Sequence, residues 1–135
     1  MNNYGKSAIR SVELIHSGEV SYTEEAWEIA TREFFTIKTK ACPRSAFLGL
    51  CEAGLIKDVY QTHIKQPLKA STNKDHTVEA VKLLSENEAY ASFKPLQLWR
   101  TLMNGNPKSH NFQMDVVLAL WKNDLIVPYK SLVAL

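Results

Sequence analysis

Glycine is scarce in this chain, five in 135 residues, and the five never cluster. The phosphate-cradling loops of nucleotide-binding folds need closely spaced glycines, so no such loop and no G-x-S-x-G nucleophile turn has a place here. Cysteine is scarcer still. Cys42 and Cys51 would stand nine positions apart on one short helix, about 13 Å by helical rise and beyond disulfide reach. Both are expected to be free thiols, which suits a reducing compartment. The four histidines, His16, His63, His76 and His110, are scattered, and neither C-x-x-C nor H-x-x-x-H occurs, so no zinc site is implied. No apolar run approaches the ~20 residues that span a bilayer, and the opening MNNYGKSAIRSVEL lacks the apolar middle of a secretory signal. A cytoplasmic location is expected. An excess of one charge is also missing: 16 basic residues against 14 acidic ones leave +2, too little for the broad basic footprint of a nucleic-acid binder. Any basic function must be local, and no cofactor is expected.

What is present is an ordinary globular composition, with 45% apolar and 22% charged residues in a length suited to one domain. The chain also resembles itself. AIRSVELI (Ala8 to Ile15) aligns with TVEAVKLL (Thr77 to Leu84), pairing Ile9 with Val78 and Val12 with Val81 at an offset of 69. AWEIA aligns with LWRTL, Trp27 on Trp99, at an offset of 72. AFLGLCEAGLI (Ala46 to Ile56) aligns with VVLALWKNDLI (Val116 to Ile126) at an offset of 70. Three blocks in one order at nearly one offset predict a duplication. The expected fold is all-α, two three-helix units, about 4–58 and 76–127, packed as one bundle-like domain. A polar linker would occupy 59–75, and the apolar tail 128–135 would dock on the second unit.

Local signals support three helices per unit. In the first unit, Ser21 and Glu24 have the S-x-x-E spacing of a capping box. In the second, Pro95 suits an early helical position and Asn104-Gly105 closes that helix. Gly54 stands where the third helix must exit left-handed, with Leu55 folding back on its last turn. Asp124 takes the glycine's place in the second copy. Trp27, Phe47, Leu50, Trp99, Leu102, Leu118, Leu120 and Trp121 are the expected interior.

Candidate chemistry gathers in the turns before the two third helices. KTKACPRS supplies Lys40, Arg44 and Ser45; NGNPKSHNFQMD supplies Lys108, Ser109, His110, Asn111 and Gln113. Loops carry hydrogen-bonding groups that a core does not need, although Ser109 or Asn111 would also serve as a plain helix cap. If the units pack about a two-fold axis, Lys40 and Arg44 would approach Lys108 and His110 and form an anion-holding surface. Cys42, at a helix threshold between Lys40 and Arg44, is the candidate reactive thiol, but no histidine can be tied to it. The favoured reading is a non-enzymatic binding module for a protein partner or an acidic ligand. The alternative is a helix-turn-helix-like DNA- or RNA-binding regulator using the third helices. There the outward positions would be Arg44, Ser45, Gly49 and Glu52, with Gln113, Asp115, Ala119 and Lys122 in the second copy. One arginine beside acidic groups is poor equipment for a polyanion.

Four segments, YGKSA, EAW (Glu25 to Trp27), CPRSAFLGLCEAGLI and NFQMDVVLALW, together resemble a family of short bacterial proteins of unknown function over nearly the whole length. The resemblance implies a single self-contained domain. It supplies no activity, cofactor or catalytic residue.

Overall fold

A computed structural model describes residues 1–69 and 71–129 of the chain. The described residues form six α-helices and no strand: α1 (Asn3–His16), α2 (Thr23–Phe34), α3 (Ala41–Glu52), α4 (Thr72–Glu86), α5 (Pro95–Met103) and α6 (Gln113–Lys122). Short 3-10 turns lie at Gln61–His63 and Glu88–Ser92. The fold is all-α.

Helix ends follow from capping chemistry. Asn2 accepts the Gly5 N–H and opens α1, and Ser71 accepts the Lys74 N–H and opens α4. Pro95 occupies the first position of α5, and Asn104 ends that helix in the left-handed region at φ 45°. The ends of α3 and α6 share one geometry. Gly54 (φ 75°) and Asp124 (φ 58°) turn left-handed, while the N–H groups of Leu55 and Leu125 reach back to the Leu50 and Leu120 carbonyls at 3.0 Å. Both are Schellman closures, which satisfy carbonyls that the helix leaves unpaired.

The capping box at Ser21 does not form. The N-cap of α2 is Tyr22, one residue later, with no side-chain cap bond. The shift moves Glu24 off the capping position. Its carboxylate instead accepts the N–H groups of Lys65 and Gln66, at 3.1 and 2.8 Å. That fastens the connector to α2. A second carboxylate does the same on α3, where Glu52 accepts the Leu68 N–H at 2.8 Å and pairs with Lys74 at 2.9 Å. These partners hold the Glu52 carboxyl below its usual range. The stretch read as linker also ends earlier than expected, because α4 starts at Thr72. Its first turn is polar, so it carries no apolar period.

The core is organised around α3 and α6. Residues 46–51 and 116–120 are all buried, so these two helices are covered on nearly every side. α1 packs along α2 and onto α6, while α4 packs along α3. The first helix of each half therefore covers the third helix of the other. Two close approaches make this possible. A Cβ on Gly49 would lie 2.8 Å from both Cα and Cβ of Lys74, and one on Gly5 would lie 2.9 Å from the Ala119 Cβ. Gly49 and Ala119 are 70 residues apart, and Gly5 and Lys74 are 69 apart, the offsets of the sequence alignment. The chain beyond the third helices joins as well. Ile56 and Ile126 form an antiparallel bridge, in which the Lys57 N–H donates to Leu125 O and the Val127 N–H to Leu55 O, at 2.9 and 2.8 Å.

Of the expected interior, Trp27, Phe47, Leu50, Trp99, Leu118 and Leu120 are buried. Leu102 and Trp121 are only half-buried and pack on the core's edge. α5 is nine residues long and buries only Leu98 and Trp99, which leaves Leu102 at the rim. Most of the tail expected to dock, residues 130–135, lies outside the described residues. At its start, the Tyr129 N–H donates to Ser85 Oγ at 2.9 Å, and the Lys82 ammonium sits 4.8 Å from the Tyr129 ring centre.

Trp99→Ala empties a large site and is expected to cost about 3–5 kcal/mol, read as a lower urea midpoint. Gly49→Ala is expected to destabilise as well. The methyl meets helix backbone, and overpacking of about 1–3 kcal/mol outweighs the gain of up to ~1 kcal/mol in helix propensity. A Gly49→Ala chain as stable as the parent would refute the close approach.

Candidate functional site

Tyr4 joins the two polar turns. Its hydroxyl accepts the Lys40 N–H at 2.9 Å, just before α3. Its ring centre lies 4.6 Å from Phe35 and 5.0 Å from Phe112, the residue before α6. The Lys40 ammonium stands 5.2 Å from the Phe112 ring centre, within cation–π range. From there a row of rings continues from Phe112 to His110 (6.4 Å), Trp99 (5.4 Å) and His76 (5.1 Å). Lys40 is thus brought to the turn that holds His110.

Several residues of the second turn are structural. No side chain at Ser109 or Asn111 caps α6; its N-cap is Phe112, left-handed at φ 66°. A bulky residue there costs about 1–3 kcal/mol, and the Tyr4 and Lys40 contacts help hold it. His110 acts as the cap instead: its Nε2 accepts the Met114 N–H at 3.1 Å. An accepting Nε2 carries no proton, so the ring is neutral with its proton on Nδ1. Burial pushes the His110 pKa down and the nearby Asp115 carboxyl up. Their 3.9 Å approach is therefore not a strong ion pair. His110 does not serve as a cation, contrary to the expected anion surface. Gln113 is only 3% exposed. Its Oε1 accepts the Asn111 N–H and its Nε2 donates to Asn73, so it belongs to the interior rather than to a contact surface.

Arg44 and Lys108 line two different clefts. The first lies between α2 and the segment before α3, about 280 Å³, with Trp27, Phe35, Ile37 and the cations Arg32, Lys38 and Arg44 in its wall. The second lies between α5 and the segment before α6, about 710 Å³, with Trp99, Met103, Arg100, Lys108, Ser109 and His110. Each has a buried tryptophan at its base, Trp27 at 1% and Trp99 at 3% exposure. The Trp99 indole N–H donates to the Lys108 carbonyl at 3.0 Å, whereas the Trp27 N–H is buried without a partner. Ser45 and Cys42 are half-buried in the first turns of α3, and no hydrogen bond to the Cys42 thiol is present among the described residues. Cys51 is fully buried, which pushes its thiol pKa up.

The family model of DUF6979, a family of unknown function, matches residues 1–127. The chain belongs to this family. No curated protein and no solved structure matches it. The family match takes in both clefts and the aromatic row between the turns. No helix among the described residues of this family member is long and apolar enough to cross a membrane.

The two half-buried imidazoles of His76 and His110 set a pH dependence. Burial lowers the His76 pKa, helped by the Lys108 charge, and burial alone lowers that of His110. Below the unfolded value of about 6.5, the unfolded chain takes up protons that the folded chain resists, so stability falls with pH until the lower folded values are passed. Asp115 works oppositely, with folding favouring its protonated form at acidic pH. The urea midpoint is expected to drop between pH 7.5 and pH 5.5, and to drop less in His110→Gln, whose amide oxygen can still accept the Met114 N–H.

Proposed function

We propose that this family member is a non-enzymatic binding module made of two related three-helix units, which takes an acidic segment of a protein partner at its tryptophan-based clefts. The observation that carries this reading is the repeated construction of the clefts. Trp27 corresponds to Trp99 in the sequence alignment, and each cleft takes a lysine from the segment before a third helix, Lys38 in one and Lys108 in the other. The first cleft sets three cations against one carboxylate, Glu28. The second has Arg100 and Lys108, and its lining residues include no carboxylate. Among the described residues none of these five cations makes an ion pair. They are available to a partner's acidic groups. The exchanged packing of α1 on α6 and α4 on α3, with the shared bridge at Ile56 and Ile126, supports the view of two related units.

Recognition of nucleic acid through the third helices has less to work with. Gly49 lies under Lys74, Ala119 lies against Gly5, and Gln113 is interior. A recognition helix needs an open outer face, and here that face is largely covered.

A set of fluorescein-labelled peptides carrying acidic clusters, read by anisotropy, tests the proposal. Binding should weaken as salt rises. Arg44→Ala with Lys108→Ala should weaken it about tenfold, or ~1.4 kcal/mol, while leaving folding stability within about 0.5 kcal/mol. A double variant that binds like the parent, a set in which no peptide binds, or preferential binding of duplex DNA would each overturn it.

A further inference from the structure

We infer that the Trp27 cleft is an oxyanion site, holding one carboxylate or phosphate group between the Trp27 indole N–H and the cations Arg32, Lys38 and Arg44. This rests on reading the clefts as binding surface and names the chemistry of one of them.

The second half of the chain shows what the first half lacks. Trp99 satisfies its N–H on the carbonyl of Lys108, a residue of the segment before α6, and the segment before α3 supplies Lys38 to the Trp27 cleft. No matching bond forms there. The Trp27 N–H remains buried and unpartnered, a state that buried polar groups seldom keep because the lost water bond is not replaced. An indole nitrogen only donates, so what completes it must be an acceptor. His76 Nδ1 is likewise unpartnered, but an imidazole nitrogen can donate or accept according to tautomer and does not point to one ligand type.

Charge narrows the acceptor to an anion, since three cations line the same cleft against the single carboxylate of Glu28. Arginine is the residue best suited to carboxylate and phosphate oxygens, through its planar fork of donors. Size narrows it further. At about 280 Å³ the cleft falls just below the usual range for drug-sized ligands, and it suits one small anionic group. The exposed Ile37 and half-buried Phe35 supply an apolar wall for the carbon that carries that group.

The three indole N–H signals of the ¹⁵N-labelled full chain, assigned from their side-chain neighbours, give a direct test. The chain is titrated with inorganic phosphate, with acetate, and with chloride at matched ionic strength. The Trp27 proton signal should move downfield and saturate with phosphate or acetate, and whichever oxyanion binds more tightly identifies the group. Trp99, already bonded, should stay in place. Arg44→Gln and Lys38→Gln, the first half-buried and the second exposed in the cleft wall, should weaken the titration several-fold. A Trp27 signal that ignores both oxyanions, follows chloride equally, or titrates unchanged in both variants overturns the site. Acidic-peptide binding that depends on Lys108 while Trp27 stays silent refutes this site and leaves the module reading standing. A Trp27 response to phosphate or acetate with no peptide bound leaves the oxyanion site standing and refutes the module reading.

Discussion

The contact between Gly49 and the first turn of α4 is the tightest constraint in the fold. A helix can come that close only where the facing residue has no side chain, and the approach buries the outer surface of α3 beneath α4. Gly5 against Ala119 does the same for α1 and α6. Once these approaches are made, α3 and α6 have little surface left, and the two tryptophan-lined clefts lie beside α2 and α5. The covering of α3 and α6 also explains why residues 46–51 and 116–120 are almost wholly small or apolar. A helix enclosed on all sides has no polar stripe to keep.

Tyr4 converts that packing into a link between the two turns. Because α1 crosses to the second half, its first turn places one aromatic ring between Phe35 and Phe112. The hydroxyl meets the Lys40 N–H at the same time. One residue from the start of the chain therefore fixes the approach to both third helices. The ion pairs at the periphery have a smaller part: Arg10 with Glu33 joins α1 to α2 at the partly exposed surface, where such pairs contribute little. The carboxylates of Glu24 and Glu52 matter more for shape, since each accepts backbone N–H groups of a connector that has little secondary structure of its own.

The all-α class, the left-handed exits at Gly54 and Asp124, and most of the buried aromatic and leucine positions were legible in the sequence because they depend on local pattern and capping. The chemistry of the turns was less so. Whether a polar side chain meets water or a helix N–H depends on where the next helix lies. His110 and Gln113 look like surface groups in the sequence, yet one caps α6 and the other is interior. Phe112 carries no signal for a left-handed conformation, and only its tertiary contacts account for it. Ser21 matches a capping pattern, but Glu24 finds better donors in the connector. The alignment of Trp27 with Trp99 was legible, whereas the difference between their indole N–H groups needed coordinates.

The crossing of α1 to α6 also orders events in time. Gly5 and Ala119 are 114 residues apart (119 − 5), so during synthesis α1 waits for α2 to α5 to be made before α6 exists. The bridge at Ile56 closes only when Ile126 arrives. Until then the parts of α1 and α3 that pack on α6 lack their cover, and the emerging chain presents them to whatever else is nearby. A fold of mostly local helices has in this way acquired the late closure more usual in sheet proteins, where distant segments must meet before any of them is stable.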